Sequence, residues 1–362
     1  MEKKNKTPRK NKTYKGEWYS INSILGNADW ARFFLLLGGR EAGKSYSVMR
    51  WAVNRKLKNK DNVKFYWLRL TDEQCNKLLE NNAAKLVDPD LMEKYNLKLM
   101  RKGTTVYTYE EVIKTTKSGE EKKSKKNIKE FCTVLSCSTF YNSKGAGYFD
   151  NTFTGEYICV LDEMNREESE RNSFDIVYNF TNLLENITRS VKTNIKIFMI
   201  GNTLQEASDL LSAFNFIPDD FGRYKLKSKR AVIDYIKPNE EYLKRRKGTN
   251  ADILMPDAST FTNEIMIDRS LLVNKRLKNK PLSIIKFSKS KSAWFTLWNN
   301  NIIDYYNNEE NKPVIAMKRY LDEVFNQGSY NAVVEMFDIR AFKFTNLSCF
   351  KQFEKQMKLL KK

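Results

Sequence analysis

Residues 33–45 read Phe33-Phe34-Leu35-Leu36-Leu37-Gly38-Gly39-Arg40-Glu41-Ala42-Gly43-Lys44-Ser45. Five apolar residues, typical of a buried strand, run directly into the pattern G-x-x-x-x-G-K-S. This pattern indicates a phosphate-binding loop, or P-loop, when a strand precedes it and a helix follows it. Apolar residues continue at helical spacing after the loop, at Tyr46, Val48, Met49, Trp51 and Ala52. The stretch therefore predicts an α/β domain organised around a strand, a P-loop and a helix.

Each position of the predicted loop has a chemical task. Gly38 and Gly43 allow the backbone to curl, so that its N–H groups point at a phosphate chain. Lys44 is expected to reach the β- and γ-phosphates, and the Ser45 hydroxyl is placed for Mg²⁺. The positive N-terminus of the following helix adds to the attraction. The loop residues expected to bind nucleotide are Gly38, Gly39, Arg40, Glu41, Ala42, Gly43, Lys44 and Ser45.

The net charge indicates a polyanionic partner. Of 362 residues, 64 are Lys or Arg and 44 are Asp or Glu, which gives a formal net charge of +20. Hydrophobic residues make up 41% of the chain, which is enough to build buried cores. A folded chain with this excess of positive charge is typical of nucleic-acid-binding proteins, and plain solubilising charge is the alternative.

Histidine is absent, which excludes Ser-His-Asp catalysis, Cys-His catalysis and histidine-containing metal sites. The five cysteines form no C-x-x-C pair. Cys132 and Cys137 lie in an apolar run, which is typical of buried thiols in a reduced, intracellular protein. No apolar run approaches the ~20 residues that span a bilayer, and the basic N-terminus lacks the apolar segment of a signal peptide.

Four more runs predict strands, at 64–70, 131–138, 157–163 and 195–202. With the strand at 33–37 they indicate a parallel α/β sheet flanked by helices, in which ligands bind at the carboxyl ends of the strands. Residues 104–131 predict a hairpin with its turn at Ser118-Gly119. The charged run at 120–126 is expected to be a solvated loop.

ATP hydrolysis requires a bound Mg²⁺, an activated water and stabilised charge on the γ-phosphate. Asp162 ends an apolar strand and is expected to bind nucleotide and, with Ser45, to hold Mg²⁺. Glu163 follows it and is expected to act as general base. Asn202 ends another strand and is expected to sense the γ-phosphate. The alternative is that these are strand-end acids and a turn asparagine with no catalytic task.

A catalytic arginine adds about 10³–10⁵ to the rate of phosphoryl transfer. Arg40, Arg166, Arg171 and Arg189 are candidates. Arg189 lies in a helical segment just before the strand that ends at Asn202. It is favoured as a finger inserted into the site of a neighbouring subunit.

Lysines in loops and charged runs are predicted to contact the phosphate backbone of DNA without reading bases. The predicted set is Lys56, Lys122, Lys123, Lys125, Lys126 and Lys144. The basic cluster at 223–230 is a further candidate. No helix-turn-helix or zinc module is recognisable, so sequence-specific readout is not expected.

The composition divides the chain into four segments. Residues 1–13 predict a basic disordered arm, and 14–202 predict a P-loop ATPase domain. Residues 203–248 predict a lid and a basic linker. Residues 249–362 predict a smaller α/β C-terminal domain.

The first 200 or so residues resemble the viral DNA-packaging ATPases, or large terminases. The resemblance rests on the P-loop at 38–45, on a strand ending in Arg69, on the loop Ser143-Lys144-Gly145 and Phe149 before Asp162-Glu163, and on Gly201-Asn202. Length and basicity are most similar to the encapsidation ATPases of phi29-type phages. The resemblance implies an ASCE-type P-loop fold with ATP and Mg²⁺ as cofactors. It also implies a homopentameric ring that docks on a capsid portal and pulls double-stranded DNA into an empty head.

The same resemblance implies that an arginine of the next subunit completes each site, with Arg189 as the best match and Arg166 as second choice. It implies action in the host cytoplasm on the procapsid, absence from the mature virion and no membrane partner. Whether a structural packaging RNA lies between ring and portal is left open. The aromatic residue that stacks on adenine is also open between Trp18, Tyr19 and Trp30.

Large terminases carry a C-terminal RNase-H-like nuclease whose acids bind two metal ions. In this chain the analogous hairpin at 287–294 is basic, and Asp304, Asp322 and Asp338 lack a persuasive metal-binding arrangement. Cations at a two-metal site oppose metal binding. The C-terminal domain is therefore predicted to be a degenerate nuclease that docks or grips DNA, without nuclease activity.

Two other functions compete with DNA packaging. A P-loop helicase or a DNA-partitioning ATPase has the same nucleotide chemistry. A non-hydrolysing, nucleotide-gated DNA-binding scaffold is the third hypothesis, and Glu163 argues against it because a pure switch needs no positioned base.

Overall fold

The computed structural model describes residues 18–115, 121–143, 152–164, 174–189, 194–202, 208–218, 220–255, 271–273, 277, 280–308, 311–319, 321 and 324–361. The chain divides into two compact units. The first unit comprises Met1–Ala207 and Asp220–Glu264, and the second comprises Ser208–Asp219 and Ile265–Lys362. Each unit is built on its own β-sheet.

A nine-stranded mixed sheet organises the first unit, in the order β3-β4-β5-β2-β6-β7-β1-β9-β8. Its strands are β1 (Phe33–Leu37), β2 (Val63–Arg69), β3 (Leu99–Lys102), β4 (Thr105–Thr115), β5 (Glu121–Ser136), β6 (Glu156–Leu161), β7 (Ile195–Gly201), β8 (Gly222–Leu226) and β9 (Ala231–Tyr235). The described helices between residues 18 and 255 are α1 (Asn22–Leu25), α2 (Lys44–Asn59), α3 (Asp72–Ala83), α4 (Pro89–Lys94), α5 (Ile176–Thr188), α6 (Ser208–Ala213), α7 (Glu240–Arg246) and α8 (Asn250–Leu254). Of these, α6 belongs to the second unit.

The centre of this sheet is parallel. Strands β5, β2, β6, β7, β1 and β9 pair in parallel, and β3, β4 and β8 add antiparallel edges. Leu35, Leu36 and Val160 are fully buried, as are residues on both faces of the central strands. Continuous apolar runs suit such strands because both faces are covered. The five strands predicted from the sequence are confirmed, and they lie in the parallel centre of a mixed α/β sheet.

Two segments differ from the sequence prediction. The charged run at 120–126 was expected to be a loop, but from Glu121 onward it forms the start of β5, because each residue pairs with β4 across the hairpin. The stretch at 203–248 was expected to be a lid and linker. Within it, residues 222–235 instead form β8 and β9, and β9 hydrogen-bonds to β1 in parallel. The apolar residues of β9 are buried, which is why it joins the sheet.

The hairpin of β4 and β5 extends well past the rest of the sheet. Strand β5 joins β2 only at Thr133, whereas Glu121–Lys126 pair with Glu110–Thr115 alone. We call this two-stranded part the arm. Its six residues Glu121–Lys126, at about 3.4 Å each, give a length of roughly 20 Å. Because β5 runs parallel to β2, the arm projects from the amino edge of the sheet, where the parallel strands begin.

The second unit has a five-stranded sheet in the order β13-β10-β11-β12-β14. Its strands are β10 (Ser283–Lys286), β11 (Trp294–Trp298), β12 (Ile302–Tyr305), β13 (Val314–Ala316) and β14 (Lys343–Phe344), and its further helices are α9 (Gln327–Asp338) and α10 (Leu347–Leu360). Strands β10, β11 and β12 form an antiparallel meander, while β13 and β14 pair in parallel at its two sides. Phe295, Phe344 and Phe353 are buried at the centre of its core.

The acids of the second unit are held by local contacts. Asp304 accepts hydrogen bonds from the Thr345 hydroxyl at 2.5 Å and the Tyr305 N–H at 2.8 Å, and Asp338 pairs with Lys361 at 2.5 Å. Asp322 lies outside the described residues. Among the residues that the structure describes, no cluster of three or more Cys, Asp or Glu side chains suits a metal ion.

The five cysteines are buried free thiols, as predicted for Cys132 and Cys137. Burial raises the pKa of each of these two thiols well above its ordinary value. Protonated, buried thiols are unreactive, so they contribute to packing. Within the described ranges, no helix has both the length and the apolar character needed to cross a membrane.

Candidate functional site

Three parallel strands bring the predicted site residues to one edge of the sheet. Strands β1, β6 and β7 are neighbours, so Leu37, Leu161 and Gly201 end side by side. We call this the carboxyl edge. The N–H of Gly38 donates to the Gly201 carbonyl at 3.3 Å, and Met164 donates to Ile200 at 2.9 Å. The three segments that follow the strands are thereby tied together.

The glycine-rich loop, residues 38–45, leaves β1 at this edge and enters α2. Glu41 and Gly43 have φ angles of 62° and 86°, in the left-handed region, so the backbone curls between strand and helix. Helix α2 begins at Lys44. The Lys44 ammonium folds back into the curl and donates to the carbonyls of Gly38 at 2.7 Å and Gly39 at 2.8 Å.

Lys44 is the buried cation of the loop, with 4% of its surface exposed. Burial lowers the pKa of Lys44 to about 7, and the nearby Asp162 carboxylate opposes this shift. A buried ammonium held by two neutral carbonyls lacks a full counter-charge. The loop therefore favours an anion that would supply one.

We expect Lys44 to make the folded chain more stable as the pH rises from about 7 to 10.5. In that range the unfolded chain keeps a proton on Lys44 that the folded chain has released, so the free energy of unfolding rises with pH. The contribution approaches about 1.4 kcal/mol per pH unit. Urea denaturation of wild type and Lys44→Met across this range measures it. A stability difference between the two proteins that does not change with pH would contradict the expectation.

Asp162 joins the glycine-rich loop to the end of β6. Its side chain is buried, and one carboxylate oxygen accepts the Ser45 hydroxyl at 2.7 Å. The other oxygen pairs with the Arg69 guanidinium at 2.8 Å. A hydroxyl and a carboxylate in contact form an oxygen donor set of the kind that Mg²⁺ prefers.

Glu163 lies at the solvent-exposed side of the cluster formed by Ser45, Asp162 and Arg69. Its φ angle is 53°, and its side chain is 55% exposed. This backbone conformation is uncommon outside glycine and is typical of functional positions. The Glu163 carboxylate pairs with the second nitrogen of Arg69. Arg69, at the end of β2, therefore bridges both acids of the predicted pair.

The bridging contact predicts a large loss of stability on removal of the arginine. Arg69→Met leaves the buried Asp162 carboxylate without its cation beside a second carboxylate, which we expect to cost about 3 kcal/mol. Chemical denaturation measures the change. Arg101→Met is the control, because the exposed Arg101 makes one bond to the Leu79 carbonyl. An equal loss of unfolding free energy in both variants would show that the Arg69 bridge contributes no more to stability than an ordinary surface contact.

Helix α7, which lies about 200 residues further along the chain, contacts the glycine-rich loop. In α7, the Tyr242 hydroxyl donates to the Arg40 carbonyl at 3.0 Å and Arg245 donates to the Glu41 carbonyl at 2.7 Å. Arg246 pairs with the Glu41 carboxylate at 2.6 Å. These contacts join the segment that leads out of the first unit to the backbone of the glycine-rich loop.

The three aromatic candidates for base stacking have different surroundings. The Tyr19 hydroxyl donates to Asp234 in the buried interior, and Trp30 packs against the core of the first unit. Trp18 is 50% exposed, and a Cβ at Gly43 would lie 3.3 Å from its ring. The Arg245 guanidinium lies 3.8 Å from the centre of that ring. Of the three, Trp18 offers a surface beside the loop.

The fold of this chain is similar to that of several solved structures. The chain matches a chain of the Phi-29 viral genome packaging motor assembly with a TM-score of 0.60 and 18% identity, over 96% of this chain and 100% of that one. It matches the Phi-28 gp11 DNA packaging motor with a TM-score of 0.57 and 16% identity, over 95% and 97%. The chain has the fold of a phage packaging motor. No protein-family model matches it, and no curated protein matches it significantly. The predicted resemblance is thus confirmed at the level of the packaging-motor fold.

Within this packaging-motor fold, Asn202 and Arg189 lie at different edges. Asn202 follows β7 at the carboxyl edge, beside the segments that hold Gly38 and Met164. Arg189 ends α5, which has 13 residues and a length of about 20 Å. Since α5 connects the carboxyl end of β6 to the start of β7, it returns toward the amino edge. Arg189 is therefore carried away from the glycine-rich loop of its own chain.

The lysines predicted to contact DNA are also separated. Lys56 is buried and donates to the Val63 carbonyl at 2.6 Å, a placement that does not support contact with DNA. Lys123, Lys125 and Lys126 are exposed on the arm of the packaging-motor fold, at the amino edge. The Lys122 side chain and Lys144 lie outside the described residues, as do Arg166 and Arg171.

Sequence reasoning missed two features of this site. Arg69 was noted as a strand end, and its contact with Asp162 and Glu163 was not foreseen. An arginine closing an apolar strand was the available signal. The contacts of α7 had no signal, because Tyr242 is 202 residues from Arg40 along the sequence.

Proposed function

We propose that this chain is an ATP-driven translocase that packages viral double-stranded DNA into a preformed capsid through its portal. One observation carries the proposal. The carboxyl edge of the parallel strands brings together a buried lysine in a curled loop, a serine hydroxyl bound to a buried aspartate, and an exposed glutamate. This is where α/β sheets bind ligands. The packaging-motor fold of the chain supports a role in genome packaging.

The triphosphate of ATP would lie in the curl of residues 38–45, which acts as an ASCE-type P-loop. Lys44 would exchange its two carbonyl partners for phosphate oxygens, because an anion gives the buried ammonium its counter-charge. Ser45 and Asp162 would hold Mg²⁺, which, when bound, neutralises charge on the phosphates. Trp18 is the aromatic residue that we favour for stacking on adenine.

Glu163 would act as general base on the attacking water. In the structure its carboxylate is paired with Arg69, so it must leave this partner to accept a proton from water. Arg69 keeps the contact with Asp162 on its other nitrogen, which lets Glu163 move while Asp162 stays in place. Asn202 would sense the γ-phosphate from the end of β7.

We propose that Arg189 acts on the site of a neighbouring subunit. Its position at the far end of α5 supports this, because that end points away from its own loop. A head-to-tail arrangement that closes into a ring gives every site one such donor. A homopentamer is the ring that the packaging resemblance implies, with Arg166 as the second choice of donor.

Duplex DNA would be held through its phosphates by the arm lysines, with Lys144 as a further predicted contact. Portal docking, a structural RNA partner, action on the procapsid in the host cytoplasm and absence from the mature virion belong to the same proposal. The second unit is proposed to be a degenerate RNase-H-like domain without nuclease activity. Its basic 287–294 hairpin and the engaged Asp304 and Asp338 support this.

Displacement of a third strand from a DNA triplex tests translocation directly. A motor that moves along duplex DNA without opening it should strip the third strand in the presence of ATP and Mg²⁺. It should leave a forked duplex intact. Unwinding of the fork without triplex displacement would favour a helicase and contradict the proposal. ATP binding with neither activity nor turnover would favour a nucleotide-gated scaffold.

A further inference from the structure

The turn between β8 and β9 concentrates positive charge at the amino edge, opposite the glycine-rich loop. Residues 225–230 read Lys-Leu-Lys-Ser-Lys-Arg, with four cations and no acid. Lys225, Lys227, Lys229 and Arg230 are exposed. Within the described part of the chain, none of these four side chains forms a salt bridge. Their charge is therefore available to a partner.

The neighbouring strand start adds to this charge. Both the Arg32 and Phe33 N–H groups donate to the Arg230 carbonyl, at 2.7 and 3.1 Å, so the two arginines lie side by side. Burial and the like charge of Arg230 both lower the pKa of Arg32. A second cation beside Arg230 raises the local positive potential, which attracts polyanions. The arrangement suits a polyanion.

The acids at this edge leave an excess of positive charge. Glu156, at the start of β6, pairs with Arg55 at 2.7 Å. Asp29 and Asp61 are exposed near the starts of β1 and β2. The described strands of the hairpin carry six lysines and four glutamates, a net charge of +2. The basic turn at Lys225–Arg230 carries four cations and no acid, so its charge exceeds that of the hairpin.

The arm and the basic turn form two contact points on one edge. Strand β5 is separated from β9 by β2, β6, β7 and β1, which is five strand spacings or about 24 Å. One turn of duplex DNA extends about 34–36 Å. Both points can therefore reach phosphates within a single helical turn.

We propose that the amino edge of the first unit is a binding surface for the backbone of duplex DNA, with the arm and the turn at Lys225–Arg230 as its two contacts. The choice of DNA rests on the proposed function, and the surface lies at the opposite edge from the ATP site. Its lysine and arginine side chains are expected to contact phosphates and not base edges, so the surface is expected to be indifferent to base sequence.

Salt-dependent binding of a 30-base-pair DNA duplex to the full chain, without nucleotide, tests the surface. The variant Lys225→Ser, Lys227→Ser and Lys229→Ser removes three exposed cations. Each phosphate contact contributes about 0.9 to the slope of log K against log salt, so we expect the slope to fall by about 2–3. The control variant Lys102→Ser, Lys237→Ser and Lys247→Ser removes the same charge from exposed positions of the first unit outside the arm and the basic turn. It is expected to leave the slope within about one unit of wild type.

The outcomes separate this inference from the proposed function. An unchanged slope in the turn variant, with wild type binding DNA normally, overturns the surface and leaves the translocase proposal standing. Tighter binding of an RNA duplex, lost in the turn variant, overturns the assignment to DNA. A wild type that binds no duplex at all contradicts the proposed function itself. Protection of the three lysines from amine modification by DNA in wild type is a second measurement that does not depend on variant folding, and absence of protection overturns the surface.

Discussion

Replacing Glu163 with glutamine is expected to lower the rate of ATP hydrolysis by about 10²–10⁴ while ATP binding persists. Glutamine keeps the shape of the side chain but cannot accept a proton from water. The groups proposed to bind the triphosphate, Lys44 and Ser45, are unchanged. Steady-state turnover and equilibrium binding of ATP, measured on the same preparation, check the two halves of this expectation.

Glu93→Gln is the matched control, since Glu93 is an exposed glutamate on α4. Its turnover should equal that of wild type. Lys44→Ala should instead lose ATP binding. If Glu163→Gln hydrolyses ATP at the wild-type rate, Glu163 is not the base, and the remaining acid of the site, Asp162, becomes the group to test.

Arg189→Ala is expected to reduce turnover by about 10³–10⁵, the range for loss of a catalytic arginine. The loss should be recoverable by mixing subunits. Lys44→Ala subunits cannot use ATP but still present Arg189 to a neighbour. In a random one-to-one mixture, one quarter of all sites combine an intact loop with an intact neighbouring arginine, so we expect about one quarter of the wild-type rate.

One outcome of the mixing experiment would contradict the action of Arg189 between subunits. A mixture that shows no more activity than its two components, at any ratio, would mean that Arg189 does not act between subunits. Arg166→Ala in the same assay then tests the second choice of donor. A mixture of Glu163→Gln with Lys44→Ala is the control, because neither subunit type can complete a working site.

The carboxyl-edge site was predictable because its elements are local or follow from sheet geometry. An apolar strand, a glycine turn and a helix are encoded within residues 33–52. Parallel strands end at a common edge, so Asp162 was expected near Ser45, and the two are in contact at 2.7 Å. The same rule placed Asn202 at this edge.

Other features depend on long-range contacts that a single sequence does not encode. Strand β9 reads as part of a basic linker until β1 offers it a parallel partner. The run at 120–126 looks like a loop because it is charged, and cross-strand pairing with β4 makes it a strand. Lys56 looks like a surface lysine by composition, yet its ammonium is buried against the Val63 carbonyl.

The most direct test of the account is the rate of ATP hydrolysis by the full chain with and without double-stranded DNA. We expect turnover to rise in the presence of duplex DNA, because ATP hydrolysis and DNA movement belong to one cycle. Turnover that is the same with and without DNA would contradict the claim that this chain is a DNA-coupled motor.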